Sequence, residues 1–394
     1  MVDFSLSEEQ LGYVKWAREF AQTHVRPASA KLDRLDDPQD RFPWEILERA
    51  HEAGVLQFGL PEAFGGSPVD EVTFCLVMEE LGAADVGVAA VVAQYWNATQ
   101  LIDRWGNDYH RETFIQPYLD KPRTVYAVAM TEANAGIDAH LPYDVPGAGP
   151  MLAAVPDGDE IVLNGAKCNI SGSHVADVII VFARTDTTVG LTQGMTAFVV
   201  TKDTPGFSVA ETFDLVGHRV SPIAEIHFDD CRIPKENQLT PWNGAFAEMA
   251  RQTVGRHWVG ARYLGVGRAA YELALEQVKT RVQGGKPIIE HQMVARQIGD
   301  MAMTLEVARN VIWRAAWGSQ NPEQADPNVM RMSRVYGSEA AMKVALEAMR
   351  LFGARGIRTD SGMEKLVRDA MTGLPPAPLD VSLMVAGQSI AGLR

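Results

Sequence analysis

Two hydroxyls, a glycine and an arginine are the residues of this chain whose types and settings suggest chemistry. Thr131 and Ser171 each fall at the end of a run of β-forming residues, where a hydroxyl can bond the polar rim of a bound ring. Each can equally close a strand-end backbone hydrogen bond and do nothing more. Gly136 follows Ala135, and a glycine among small residues lets the backbone approach a flat or phosphorylated ligand closely. Arg281 stands shortly before Gly284-Gly285, and its guanidinium fork matches phosphate geometry. Taken alone, it is as well read as a solvated charge at a helix end. Cys75, Cys168 and Cys231 are far apart and in no metal-ligand spacing, so no metal site is expected.

The elements that must position these groups fall into three parts, an α+β organisation. In the first third, Ser7 and Gln10 form an S-x-x-Q capping box, with Leu11, Val14, Ala17, Ala21 and Val25 following at helical steps. Further helices fit Trp44–Ala53, Glu71–Leu81 and Ala90–Arg104. Near Pro122 the pattern changes to short Val-, Ile-, Phe- and Thr-rich segments punctuated by Gly, Asp and Pro. The candidate strands are Tyr126–Thr131, Met151–Val155, Glu160–Leu163, Val178–Ala183, Thr196–Thr201 and Ala224–Phe228, with a hairpin turn at Asp157-Gly158. They predict a small barrel or sandwich. From Trp242 the chain is helical again, and Ile288–Trp317 would span about 45 Å, a length that packs as a bundle. The expected domains are an N-terminal helical domain (1–123), a middle β-domain (124–240) and a C-terminal four-helix bundle (241–394).

Composition narrows the partners. The 394 residues carry a net charge of −14, so nothing recommends nucleic acid or an anionic membrane, which reward clustered Lys and Arg. No run approaches 18 apolar residues, and the N-terminus has neither a basic start nor an apolar core. With three sparse cysteines, a cytoplasmic protein with reduced thiols is expected.

That order of elements resembles the acyl-CoA dehydrogenase superfamily, and motifs along almost the whole chain carry the resemblance. Leu60-Pro-Glu-Ala-Phe-Gly-Gly66 is similar to its L-P-E-x-x-G-G turn. Ala129-Met-Thr-Glu-Ala-Asn-Ala-Gly-Ile-Asp138 is similar to its flavin-binding strand and loop, and Leu163-Asn-Gly-Ala-Lys-Cys-Asn-Ile-Ser171 to L-N-G-x-K-x-W-I-T/S. Phe228-Asp-Asp-Cys-Arg-Ile-Pro-Lys-Glu-Asn237 matches F-D-D-V-R-V-P-x-E-N. In the bundle, Arg281-x-x-Gly-Gly-Lys-Pro-Ile288 with Gln292, and Leu351-Phe-Gly-x-x-Gly356, complete the set. The resemblance implies the three-domain acyl-CoA dehydrogenase fold, FAD as cofactor and an acyl-CoA or other acyl thioester as substrate. It places Met130, Thr131, Gly136, Ile137, Asn169 and Ser171 at the flavin, with Ser171 near N5 and Thr131 on the pyrimidine side. It sends Arg281, Gln292, Phe352, Gly353 and Gly356 to the cofactor of a neighbouring subunit, and Arg256 toward the CoA moiety. A tetramer, or a heteromer with a homologue, and an electron-transfer flavoprotein as redox partner are implied as well.

The departures concentrate on catalysis. The family removes an α-proton with a glutamate while a hydride leaves the β-carbon for the flavin. Its usual seat lies a few residues beyond R-D-A. Here Arg368-Asp-Ala370 is present, but Ala377 occupies the glutamate position; the alternative seat is Gly255. Asp380 reads as a helix N-cap, and His257 lies two residues past the second seat, on another side of a helix. Asn169 stands where the family has a tryptophan, Ile137 replaces a serine, Gly284 a phenylalanine and Arg350 a glutamine. The loop after Asp138 also departs. One element survives: in Pro375-Pro376-Ala377-Pro378 only Ala377 carries an N–H, so polarisation of a thioester carbonyl by that donor is retained. Three functions fit this pattern. They are an acyl-thioester flavoenzyme with non-standard chemistry, a non-catalytic subunit of a heteromeric acyl-CoA dehydrogenase, and a flavin monooxygenase.

Overall fold

Helix formation begins where the capping signal places it. Ser7 Oγ accepts from the Gln10 N–H at 3.1 Å, and Gln10 Oε1 accepts from the Ser7 N–H at 3.0 Å. The computed structural model describes residues 5–67, 69–136, 138, 144–251, 257–375 and 379–393. The N-terminal helices are α1 (Glu8–Phe20), α2 (Arg26–Leu32), α3 (Trp44–Glu52), α4 (Glu71–Ala84), α5 (Val86–Trp105), α6 (Asp108–Phe114) and α7 (Gln116–Leu119). Asp85 separates α4 from α5. Its N–H closes α4 on Leu81 O, while its carboxylate accepts from Gly87 and Val88 N–H at 2.7 and 3.0 Å, satisfying orphan donors of the new helix. Helix α5 is apolar and buried nearly all round, as a helix enclosed on every side must be.

The strands are β1 (Tyr126–Ala129), β2 (Ala153–Asp157), β3 (Glu160–Ser171), β4 (Val178–Arg184), β5 (Met195–Thr201), β6 (Phe207–Phe213) and β7 (Ile223–Pro234). They form one seven-stranded sheet of order β1-β4-β2-β3-β7-β6, with β5 also on β4. The sheet thus forks at β4, rather than dividing into the two sheets of a sandwich. Being paired on both edges and covered on both faces, β4 is buried at every position, and it reads as a continuous apolar run. The β2–β3 hairpin turns at Gly158-Asp159, with Gly158 at φ +61°. Strand β6 went unrecognised in the sequence because its residues are mostly exposed; an edge strand has no apolar alternation to show. Strand β3 runs eight residues beyond its predicted end, through bulges near Asn164 and Cys168-Asn169 that break the simple period.

Next come α8 (Ala245–Arg251), α9 (His257–Thr280), a small hairpin β8 (Val282–Gln283) and β9 (Lys286–Pro287), α10 (Gln292–Gln320), α11 (Pro327–Phe352), α12 (Met363–Met371) and α13 (Leu379–Ile390). The predicted long helix starts later than Ile288 because Ile288–Glu290 is a 3₁₀ turn and His291 is its extended cap. Helices α9, α10 and α11 pack on one another, and α12 and α13 on α11. Helix α4 joins them. A Cβ on Gly82 would lie 2.1 Å from Arg262 O, and one on Gly265 2.2 Å from Glu79 O, so α4 and α9 cross at backbone contact. Beside the crossing, Arg268 pairs with Glu79 and Glu80 at 2.9 Å, and Arg309 with Glu79 at 2.8 Å.

Candidate functional site

The end of β1 is fastened to β3 by a set of bonds around the residues singled out above. Thr131 Oγ1 donates to Cys168 O at 2.6 Å, and Cys168 N–H donates to Thr131 O at 2.9 Å. Lys167, wholly buried, donates from Nζ to Met130 O at 2.9 Å and pairs with Glu132 Oε1 at 3.0 Å. Glu132 in turn accepts from Met151 and Leu152 N–H at 2.8 and 2.7 Å. Burial lowers the Lys167 ammonium to about 8 against the opposing pull of Glu132. The Thr131 hydroxyl proton is therefore spent on backbone, the plainer of its two sequence readings, and its lone pairs are what remain for a ligand.

Asn169 sits in the second β3 bulge at φ +61° and is exposed. Asparagine tolerates that left-handed backbone, which a bulky aromatic residue adopts at a cost. Gly136 is half-buried, with open space where a Cβ would stand. Ile137 lies outside the described residues.

Ser171 ends β3 on the wall of a narrow cavity between α5 and the β-domain. The space is about 10 Å³, room for about one water molecule. Val91, Gln94 and Tyr95 of α5 line it, with Phe42, Leu47, Tyr126 and Ser221. The Ser171 hydroxyl makes no hydrogen bond among the described residues. No carboxylate or imidazole lines the cavity among them.

The bundle residues gather elsewhere. Because α9, α10 and α11 alternate in direction, the end of α9, the start of α10 and the end of α11 meet at one end of the bundle, which brings Arg281, Gln292 and Phe352–Gly356 to it. Arg281, Gln292 and Gly353 are exposed, Phe352 is half-buried and Gly356 is buried. The Arg281 guanidinium has no hydrogen bond or ion pair among the described residues. Gly284 and Gly285, at φ +62° and +82°, turn the β8–β9 hairpin in two residues, a conformation closed to the family's phenylalanine without strain. Arg350 is exposed and paired with Glu347 on its own helix. No described hydrogen bond or ion pair joins this end of the bundle to the strand-end cluster.

Of the groups tied to catalysis, Ala377, Gly255 and Arg256 lie outside the described residues. Asp380 is exposed in the first turn of α13. His257 is fully buried, with Nε2 3.0 Å from Glu71 Oε2 and Nδ1 3.4 Å from Ser319 Oγ, a fixed position inside the helical core. The R-D-A motif is an anchor. Arg368 pairs with Asp33 at 2.8 Å and donates to Val216 O at 2.9 Å; Asp369 accepts the His218 N–H at 2.8 Å. Lys365 bridges Asp369 and Asp85 at 2.6 Å each. These bonds bolt the end of α12, and hence the start of the Pro375 segment, to both other domains.

Sequence reasoning missed two sets of residues. Lys167 and Glu132 both stand in quoted motifs, and two opposite charges inside strand patterns were the available signal. Tyr95 had none, since VVAQYW reads as ordinary core whether or not the phenol has a partner.

Three family descriptions match in order: acyl-CoA dehydrogenase N-terminal domain over residues 7–121, middle domain over 127–231 and C-terminal domain over 243–374. The acryloyl-CoA reductase (NADH) of Anaerotignum propionicum is 34% identical over 371 residues, 94% of this chain and 91% of the relative. The structure of butyryl-CoA dehydrogenase from Megasphaera elsdenii superposes with a TM-score of 0.90 at 30% identity over 100% of both chains. A structure from a study of the electron transferring flavoprotein of Acidaminococcus fermentans gives 0.89 at 29% identity, over 99% of each chain.

Proposed function

The chain belongs to the acyl-CoA dehydrogenase family, a family of FAD-dependent flavin oxidoreductases, and on that footing we propose that it binds FAD and acts on a short acyl-CoA thioester without the usual glutamate base. The observation that carries this reading is the cavity at Ser171. A free hydroxyl stands on its wall, and none of the described lining residues is a carboxylate or imidazole.

The residues fit the cofactor. Met130 and Thr131 are held beside β3 by the Lys167 bonds, Ser171 keeps an uncommitted hydroxyl, and Arg281 presents an exposed fork for a phosphate. Bound FAD supplies the hydride acceptor. Ser171 and the Thr131 oxygen hold the polar edge of the ring, and Arg256 interacts with the CoA moiety. The Ala377 N–H, the sole donor between its flanking prolines, polarises the thioester carbonyl. Among the described residues the cavity offers no carboxylate or imidazole to take the α-proton. The exposed Arg281 and the exposed apolar Met293 and Ile357 near it support a tetramer, or a heteromer with a homologue, in which a neighbour covers this end. The likeness to the Acidaminococcus structure supports an electron-transfer flavoprotein as redox partner. Three free, buried cysteines support a cytoplasmic setting.

The test is optical. The purified protein is expected to show a flavin band, and butyryl-CoA to bleach it at least about 10²-fold more slowly than a positioned base would permit. Ala377→Glu is expected to accelerate bleaching. A colourless protein that cannot be loaded with FAD rejects the enzyme reading in favour of a non-catalytic subunit. Rapid bleaching of the wild type, undiminished in Asp380→Asn, places a base elsewhere.

A further inference from the structure

Tyr95 lies on the wall of the Ser171 cavity, 2% exposed, and among the described residues its buried hydroxyl has no hydrogen-bond partner. Its neighbour Tyr126 shows the ordinary solution. The two rings meet edge to face at 4.9 Å, and the Tyr126 hydroxyl donates to Phe114 O at 2.8 Å. Two buried phenols on one wall thus differ in whether the hydroxyl finds a partner within the fold. A buried donor without an acceptor is unfavourable, and it persists where something outside the fold supplies the acceptor. Burial pushes the Tyr95 phenol pKa up, so it remains a donor.

The rest of the lining restricts that acceptor. Phe42, Leu47, Val91 and Val125 make much of the wall apolar, and its other polar side chains, Gln94, Thr124, Ser171 and Ser221, are all neutral, so the wall suits an uncharged oxygen, a water's in the free protein or a ligand's in the complex. No lysine, arginine or histidine lines the cavity among the described residues, so a carboxylate would enter unpaired at high cost. The free space is about one water in size, so only the tip of a short acyl group reaches it. We propose that Tyr95 is a specificity-determining residue: its hydroxyl donates a hydrogen bond to a neutral oxygen carried on the short acyl group of the substrate, beyond the reacting carbons. The proposal rests on the reading of this cavity as the acyl site.

The experiment titrates the FAD-loaded protein by calorimetry with two matched pairs, propionyl-CoA against 3-hydroxypropionyl-CoA and butyryl-CoA against 4-hydroxybutyryl-CoA. In the wild type, the hydroxylated member of at least one pair is expected to bind about tenfold more tightly. Tyr95→Phe, which keeps the ring and its packing, is expected to abolish that preference and to bind the plain acyl-CoA at least as well as the wild type does. Equal affinities within both wild-type pairs overturn the proposal, as does a preference that survives in Tyr95→Phe; the wild-type ratios decide alone if the variant does not fold. Tighter binding of succinyl-CoA than of either hydroxylated ligand overturns the neutral-oxygen assignment. If none of the four probes binds, the acyl-thioester reading falls and takes this inference with it. Binding without discrimination defeats this inference alone.

Discussion

Two clusters of motif residues sit in different electrostatic states. At the joined ends of β1 and β3 the polar demands are met within the chain. Lys167 has Met130 O and Glu132, Glu132 has two further N–H donors, and Thr131 and Cys168 exchange bonds. At the end of the bundle Arg281 and Gln292 are exposed, and the guanidinium is free among the described residues. The first cluster is held in place by folding itself. The second is presented rather than held, as a surface that a ligand or a neighbouring subunit completes. Substitutions in the first should therefore register as lost stability, and substitutions in the second as lost binding.

The largest effect is expected at Lys167. Lys167→Met leaves Glu132 and Met130 O without their cation in a buried setting, a change that costs about 3–5 kcal/mol. Urea denaturation of the FAD-free protein should report it as a lower midpoint, and the loosened β1 end should weaken flavin binding in parallel. A loss below about 1 kcal/mol would mean that the buried Lys167 pair contributes no more than an ordinary surface charge, and would remove the contrast. Arg281→Ala is the reciprocal test. Its unfolding midpoint should stay within about 0.5 kcal/mol of the wild type, while FAD affinity falls by the worth of a charge-assisted bond, about 1.5–3 kcal/mol. Equilibrium dialysis measures the second quantity. Destabilisation of the FAD-free protein by Arg281→Ala would show that the guanidinium has a structural partner.

The two clusters were also unequally legible. Arg281 was visible in the sequence through the chemistry of its guanidinium and Gln292 through the family motif alone, whereas the bundle end at which they meet needed the structure. The β-domain was read as strands, but its fork at β4 was not, since pairing partners leave no mark on a single strand's pattern. The bulge at Asn169 was seen only as a missing tryptophan. Its physical content, a left-handed residue that favours asparagine, needed the backbone. R-D-A was read as a signpost toward an absent glutamate, whereas Arg368, Asp369 and Lys365 hold three domains together through partners far away in the chain. Distant partners of buried charges are the part of a site least accessible to a reading along the sequence.

The smallest effect expected at neutral pH concerns a group that belongs to neither cluster. His174 lies edge-on to Phe42, which lines the cavity, with ring centroids 5.6 Å apart, and both its ring nitrogens are buried without a hydrogen-bond partner among the described residues. Burial lowers its pKa from 6.5 to about 4. His218 is lowered to about 4 as well, by burial and then by the nearby Arg262. Between those values the unfolded chain binds protons that the folded chain refuses, so stability is complete above about pH 6.5 and declines as pH falls toward 4. Each imidazole contributes a slope of at most about 1.4 kcal/mol per pH unit in that window. His174→Phe replaces two unsatisfied nitrogens by carbon in a closely similar shape. It should leave the midpoint at pH 8 unchanged or raised and remove its own share of the acid slope, with the His218 share remaining. Urea midpoints at half-unit steps from pH 8 to 4 measure the difference. An unaltered slope in the variant would mean that His174 finds a proton-sharing partner in the folded protein, and that the wall behind Phe42 is polar rather than dry.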